Sequence, residues 1–308
     1  MEIVDMQLHE PGPMLDWEGA SAETRRNAMT EVLYEMTDAI GVDAVALHPV
    51  EDTAWALQMS QADPSRWGSI PMITGGDPDG LGACAIKPDA PDLEDQIAEA
   101  AQTPGIVGLR FVPSPKFFPE EFEKFKAGGY DRGFAACQAN DISALVMVSG
   151  HAEEMGPIAE RFPDLQIIVD HIGLSQRPME MPDEPQWQKL PDVLALAKYP
   201  NVSLKLSNPV GLSDDNYPYP DLWPHMHQLL AAYGAERLAW ASDIGRFRGR
   251  IGWNIRLPQE PFVGKHNYME SLAFFLYTNE LSASEKEQIL GKSARRMLKW
   301  AAPQESGS

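Results

Sequence analysis

Residues 165–171, LQIIVDH, are a short run rich in branched apolar side chains that ends on an aspartate and a histidine. A strand apolar on both faces must be covered on both, which is the habit of parallel strands flanked by helices. Seven further runs share the design: EIVDMQ (2–7), VDAVALH (42–48), GSIPMIT (68–74), IVGLRFV (106–112), SALVMVS (143–149), NVSLKLS (201–207) and RLAWASD (237–243). Helical patterns fill the intervals. SAETRRNAMTEVLYEMTDAIG (21–41) opens on a capping Ser21 and closes on Gly41, and SASEKEQILGKSARRMLKWA ends the chain. Eight strand–helix alternations predict an α/β protein, a single-domain (β/α)8 TIM barrel over residues 1–302, with PQESGS (303–308) as a disordered tail. The stretches 175–188 and 208–220 read as long loops after two strands, and no domain linker interrupts the pattern.

Composition narrows the function. The chain has 308 residues, 44% of them hydrophobic, enough for one large core. A net charge of −20 excludes nucleic acid and anionic membrane surfaces as partners, because phosphates would be repelled. No stretch reaches the ~18 apolar residues of a membrane helix, and no signal peptide is evident. Cys84 and Cys137 form no CxxC and read as core residues of a reduced, cytoplasmic protein. A homo-oligomer is compatible with all of this.

In such barrels the loops after the strands carry the chemistry. His9 follows the first strand, His151 the fifth, His171 ends the sixth and Asp243 the eighth, so all four are expected at the C-terminal face. Three imidazoles and a carboxylate suit a divalent cation such as zinc, and manganese or iron less specifically. A single histidine at a strand end is more commonly a hydrogen-bonded structural residue, and His48 before Pro49 reads that way. His225 and His227 are two apart on a helix and do not chelate, and His266 reads as a peripheral loop residue. Alternation puts Gln7 and His9 on one face of the first strand, and it puts Asp170 behind the barrel if His171 points inward.

Several elements, in order, resemble the amidohydrolase superfamily, in its branch of lactone hydrolases and decarboxylases, with the 2-pyrone-4,6-dicarboxylate lactonases as nearest look-alike. The family's aspartate, His-x-His and Gly-Pro are matched by Asp5, Gln7, His9, Gly12 and Pro13. Its G(I/V)RF is matched by GLRF (108–111), its (I/V)DH(M/L)GRP by VDHIGLSQRP (169–178), its KLS by LKLSNP, its GTDWP by WASDIG (240–245), and its closing NAxRLYxW by SARRMLKW (293–300). Two departures stand out: Gln7 replaces the first histidine of His-x-His, and DIGRFR replaces DWP.

The resemblance implies a hydrolase that opens a lactone or ester of a carboxylated small metabolite, as in aromatic-ring degradation. Asp243 would take the proton from water, and His171 would polarise the carbonyl. It also implies a divalent metal, zinc or manganese, held by His9, His151 and Asp243 with Gln7 as a weak fourth donor, or a metal-free route through the same residues. Arg110 in GLRF needs a carboxylate or substrate partner, and Arg246 and Arg248, with Arg250, sit just past Asp243; these arginines point to an anionic substrate or to surface pairing. Tyr217, Tyr219, Trp223 and Trp253 either wall the pocket or pack their loops. A non-oxidative decarboxylase of the same branch is the alternative reaction, and a binding protein on a dead barrel is the alternative class.

Overall fold

The computed structural model describes residues 1–10, 19–76, 85–176, 185–244 and 266–302. Within them, strands β1 (Val4–Leu8), β2 (Ala44–Leu47) and β3 (Trp67–Ser69) form one parallel run. A second parallel run contains β4 (Met72–Ile73), β5 (Leu109–Phe111), β6 (Ala144–Val146), β7 (Ile167–Val169), β8 (Val202–Ser207) and β9 (Leu238–Ala241). The stretch expected as one strand over 68–74 is divided, because Pro71 carries no N–H to donate to a ladder. The backbone still bridges the gap. Ile70 N–H donates to the Leu47 carbonyl (2.8 Å), and the Pro71 carbonyl accepts Arg110 N–H (2.9 Å). β3 and β4 thus share one of eight positions in the α/β barrel.

The seam between β9 and β1 is held by a few specific bonds. Asp243 N–H donates to the Gln7 carbonyl at 3.1 Å. Asp5, fully buried, accepts Ser242 N–H (2.9 Å), the Ser242 hydroxyl, and Gln7 N–H (3.1 Å). One carboxylate therefore ties the last strand's exit to the first strand.

Strand alternation separates two layers. Leu109, Phe111, Val146, Val169, Leu204, Leu206 and Trp240 pack outward into the helix-covered core. Val4, Met6, Ala44, Ala46, Leu145, Ile168, Ala239 and Ala241 fill the barrel interior together with Ala294, Met297 and Leu298 from the end of the chain. The final helix, Ser293–Met297, closes the end where the strands begin, since the Ser143 hydroxyl ahead of β6 donates to the Met297 carbonyl (2.6 Å). The helix Ala22–Ile40 starts and stops where its sequence signals it should. Ser21 accepts Thr24 N–H, and Gly41 takes the left-handed conformation at φ 75°.

Above the apolar interior lies a charged layer. Arg110 Nε–H donates to Asp170 at 2.6 Å, and Lys205 Nζ stands 2.8 Å from the other Asp170 oxygen, with all three side chains buried. Asp170 therefore lies inside the barrel, not behind it. The expectation assumed a strand running through His171. β7 stops at Val169, so Ile168 and Asp170 keep the inward phase, and His171 leaves the extended region altogether. His171, Ile172 and Gly173 follow one another at φ 53°, 60° and 73°. Such backbone costs on the order of 1–3 kcal/mol per non-glycine residue and is worst for β-branched isoleucine. At the third position a glycine avoids that cost, and an added Cβ would also crowd Ala152 at 3.2 Å.

No helix among the described residues is long and apolar enough to cross a membrane.

The Asp5 seam generates a pH test. Burial pushes its carboxyl from 3.8 up to about 6, against the opposing pull of its bonds to Ser242 and Gln7. With the folded value above the unfolded one, the folded state holds the proton longer, so stability from this group is greatest below pH 4 and is lost as pH rises to 6. Urea unfolding should show the wild type losing about 2 kcal/mol relative to Asp5→Asn between pH 4 and pH 7. Parallel pH profiles for the two proteins would contradict this account.

Candidate active site

Asp243 lies at the centre of the cluster where the strands end. It is fully buried, and its backbone turns left-handed at φ 52°, a conformation aspartate tolerates better than most residues. Its Oδ1 is 3.3 Å from His9 Nε2, and its Oδ2 is 3.4 Å from His171 Nε2. The strained turn after β7 is what brings His171 here, and Gln176 Nε2 donates to the His171 carbonyl (3.0 Å) to hold it. Ser149 Oγ, 3.4 Å from His171 Nδ1, addresses the far side of that ring.

Gln7 and His9 reach the same point from β1. The pairing of β1 with β2 shifts register between Asp5 and Leu8, and beyond that shift both side chains meet Asp243. His9 Nδ1 is 2.6 Å from the His48 carbonyl, an oxygen that only accepts, so that nitrogen carries the proton. His9 Nε2 then presents a lone pair. Gln7 Nε2 lies 3.2 Å from it and donates to Asp243 Oδ1 at 2.9 Å. The Ser207 hydroxyl donates to Gln7 Oε1 at 3.3 Å, which accounts for the amide's two ends.

Not every expected site residue joins this cluster. His151 is at the rim, its side chain 34% exposed, with its ring 4.8 Å from that of Phe122 and Nδ1 3.6 Å from Glu153. Arg110 is held by Asp170 and also touches Met147 Sδ at 3.6 Å. Arg246, Arg248, Arg250 and Trp253 lie outside the described residues, as do Cys84, Gly12 and Pro13. His48 is structural as expected: its Nε2 donates to the Met6 carbonyl at 3.0 Å. His225 stacks on Trp187 at 4.5 Å, and His227 faces Glu280 at 3.3 Å. His266 is not peripheral; it is 2% exposed, and burial lowers its pKa to about 4. Tyr219 and Trp223 pack against Phe274, with Tyr217 beside Tyr219.

Lys205 is the residue that sequence reasoning passed over. A lysine between Leu204 and Leu206 in an apolar strand has the same need for a buried partner that singled out Arg110. Burial, with a smaller contribution from Arg110, lowers its pKa to about 8 against the pull of Asp170. Burial would raise Asp170, but Lys205 and Arg110 override it and hold that carboxyl well below the usual range. Arg110 and Lys205 together balance the two carboxylates Asp170 and Asp243. Ser149 carried no sequence signal, since serines at strand ends are common, and Ser207 lay unremarked within the LKLSNP match.

The Gln7 amide decides whether the donors suit a metal ion. Its N–H groups face the His9 and Asp243 lone pairs that a cation would need, and His151 stands at the rim against Phe122. Among the described residues, no three His, Cys, Asp or Glu side chains are arranged to hold a metal ion. As arranged, the set does not fit one.

A parallel barrel with a buried carboxylate between two imidazoles at its strand ends defines a class of enzyme. The chain belongs to the amidohydrolase family, whose model matches residues 4–300. A zinc-bound amidohydrolase from Burkholderia multivorans superposes with a TM-score of 0.69 at 18% identity, covering 98% of this chain and 100% of that one. A probable 2-pyrone-4,6-dicarboxylic acid hydrolase from Acinetobacter baumannii with citric acid bound gives 0.62 at 13% identity, covering 97% and 100%. At these identities the likeness is one of fold. The uncharacterized protein y4mH of Sinorhizobium fredii is 30% identical over 162 residues, 51% of this chain, and the match spans about half (52%) of that relative's length.

The placement of His151 can be checked directly. His151→Ala should leave turnover within about twofold and the Tm within about 2 °C, the usual outcome for a rim residue, whereas His171→Ala should lower kcat at least ~10²-fold. A His151→Ala enzyme as impaired as His171→Ala would place that ring in the reaction.

Proposed function

We propose that the enzyme is a hydrolase that opens a lactone or ester of a carboxylated small metabolite with an activated water. The observation that carries this reading is the buried Asp243 carboxylate held between His9 Nε2 and His171 Nε2. Asp243 accepts the proton of an incoming water as its oxygen attacks the acyl carbon. His171, with Ser149 on its other nitrogen, donates toward the oxygen that becomes negative in the tetrahedral intermediate. The ring C–O bond then breaks, and the leaving oxygen takes the proton back from Asp243. His9 and Gln7 keep the carboxylate aimed.

An anionic substrate is supported by what the fold neighbours bind and act on, while the buried Arg110 and Lys205 cations are balanced by the Asp170 and Asp243 carboxylates. The citric acid bound in the Acinetobacter relative is in keeping with that. The zinc in the Burkholderia relative belongs to that protein; the donors here do not fit such an ion, and no step depends on one. We place the enzyme in the cytoplasm because its two cysteines form no CxxC and Cys137 is a buried thiol.

The test is turnover of a panel of mono- and dicarboxylated lactones beside their uncharged esters. Carboxylated lactones should be the better substrates by kcat/KM. Asp243→Asn should fold and bind substrate yet lose ~10²-fold or more in kcat, the scale of a lost general base. Equal turnover by the asparagine variant would remove Asp243 from the role.

A further inference from the structure

The position of Gln7 raises a question that the proposed reaction does not answer. His9 Nε2 and Asp243 Oδ1 are 3.3 Å apart, and both offer lone pairs. Two acceptors at that separation repel unless something positive or hydrogen-bearing stands between them. It is also a separation that two ligands of one zinc ion, each near ~2.0–2.2 Å from it, would show. In this chain the space is served by the Gln7 side chain, whose Nε2 lies 2.9 Å from Asp243 Oδ1 and 3.2 Å from His9 Nε2.

We infer that the Gln7 amide stands in for a cation: its two N–H groups bridge His9 and Asp243, fix the imidazole tautomer and the carboxylate rotamer, and make the site independent of metal. Three features converge on this. The His48 carbonyl fixes the proton on His9 Nδ1, so Nε2 must accept. Asp243 Oδ1 can only accept when ionised, so the atom 2.9 Å away must be the amide nitrogen and not its oxygen. The Ser207 hydroxyl donates to the opposite end of the amide and completes its hydrogen bonding. All three groups are buried, where a bridging N–H is worth most and an unbridged acceptor costs most. Gln7 is thus a positioning residue that acts through Asp243 and His9. A histidine here could not do the same without a cation, because one imidazole nitrogen cannot donate to two acceptors.

The inference deepens the proposed reaction, yet its primary test needs no substrate. Protein purified without chelator should hold less than about 0.1 equivalents of zinc, manganese or iron by elemental analysis, and neither chelator nor added zinc should move its Tm, since only a bound ion shifts a folding equilibrium. Gln7→His should take up about one zinc and gain Tm when zinc is added. A near-stoichiometric ion in the wild type, or a Tm that falls on chelation, overturns the inference whatever the substrate proves to be. On an active lactone, Gln7→Leu should lower kcat by ~10-fold or more with KM within about twofold, and zinc should restore Gln7→His but not Gln7→Leu. A Gln7→Leu enzyme that zinc revives would mean that the amide was never the bridge.

Discussion

The Asp5 carboxylate is the constraint on which the rest depends. It is fully buried at the seam of the barrel, where it receives two N–H groups and a hydroxyl from Gln7 and Ser242. Those bonds hold β1 against the chain leaving β9 and place the side chains of Gln7 and Asp243 across from each other. Burying a carboxylate is costly, and the rise of its pKa to about 6 measures that cost. Replacing it with an apolar residue would relieve the desolvation and release the seam. The family match across residues 4–300 is carried by a fold whose ends are joined at the active site.

A second constraint acts at the strand exits. His171 after β7, Asn208 after β8 and Asp243 after β9 all have left-handed backbone, at φ 53°, 48° and 52°. At the exit of β7 the turn redirects the chain abruptly, so that His171, out of inward phase with its strand, still reaches Asp243. Histidine, asparagine and aspartate tolerate this conformation better than branched residues, which links the choice of polar residue to the geometry as well as to the chemistry. Beneath them, Arg110 and Lys205 pair with Asp170, and their second positive charge is balanced by Asp243. The apolar floor, the ionic layer and the reacting cluster are stacked along the barrel axis.

Much of this was legible in the sequence. Continuous apolar runs separated by capped helices are enough to specify parallel strands covered on both faces, and eight of them specify a closed barrel. The strand-end rule placed His9, His151, His171 and Asp243 at one face, and alternation added Gln7; the structure gathers all of these but His151 around Asp243. The need of a buried arginine for a partner was equally plain for Arg110. The same reasoning applied to Lys205 would have exposed the ionic layer.

What the sequence could not decide was phase and partnership. Alternation assigns a side chain to a face only while the strand lasts, and nothing local announces that β7 ends at Val169 or that His171 then turns left-handed; that reversal put Asp170 inside the barrel. Proximity in the strand-end layer likewise could not separate His151, whose ring packs on Phe122 at the rim, from His9 and His171. Which end of the Gln7 amide faces Asp243 depends on the lone pairs of that carboxylate, 236 positions away, and on the His48 carbonyl that sets the His9 tautomer. The sequence by itself determined the barrel and the chemical types at its mouth, because periodicity and composition are local. The tertiary structure decided which of those groups share hydrogens, because a hydrogen bond depends on distances and directions that only the folded chain fixes.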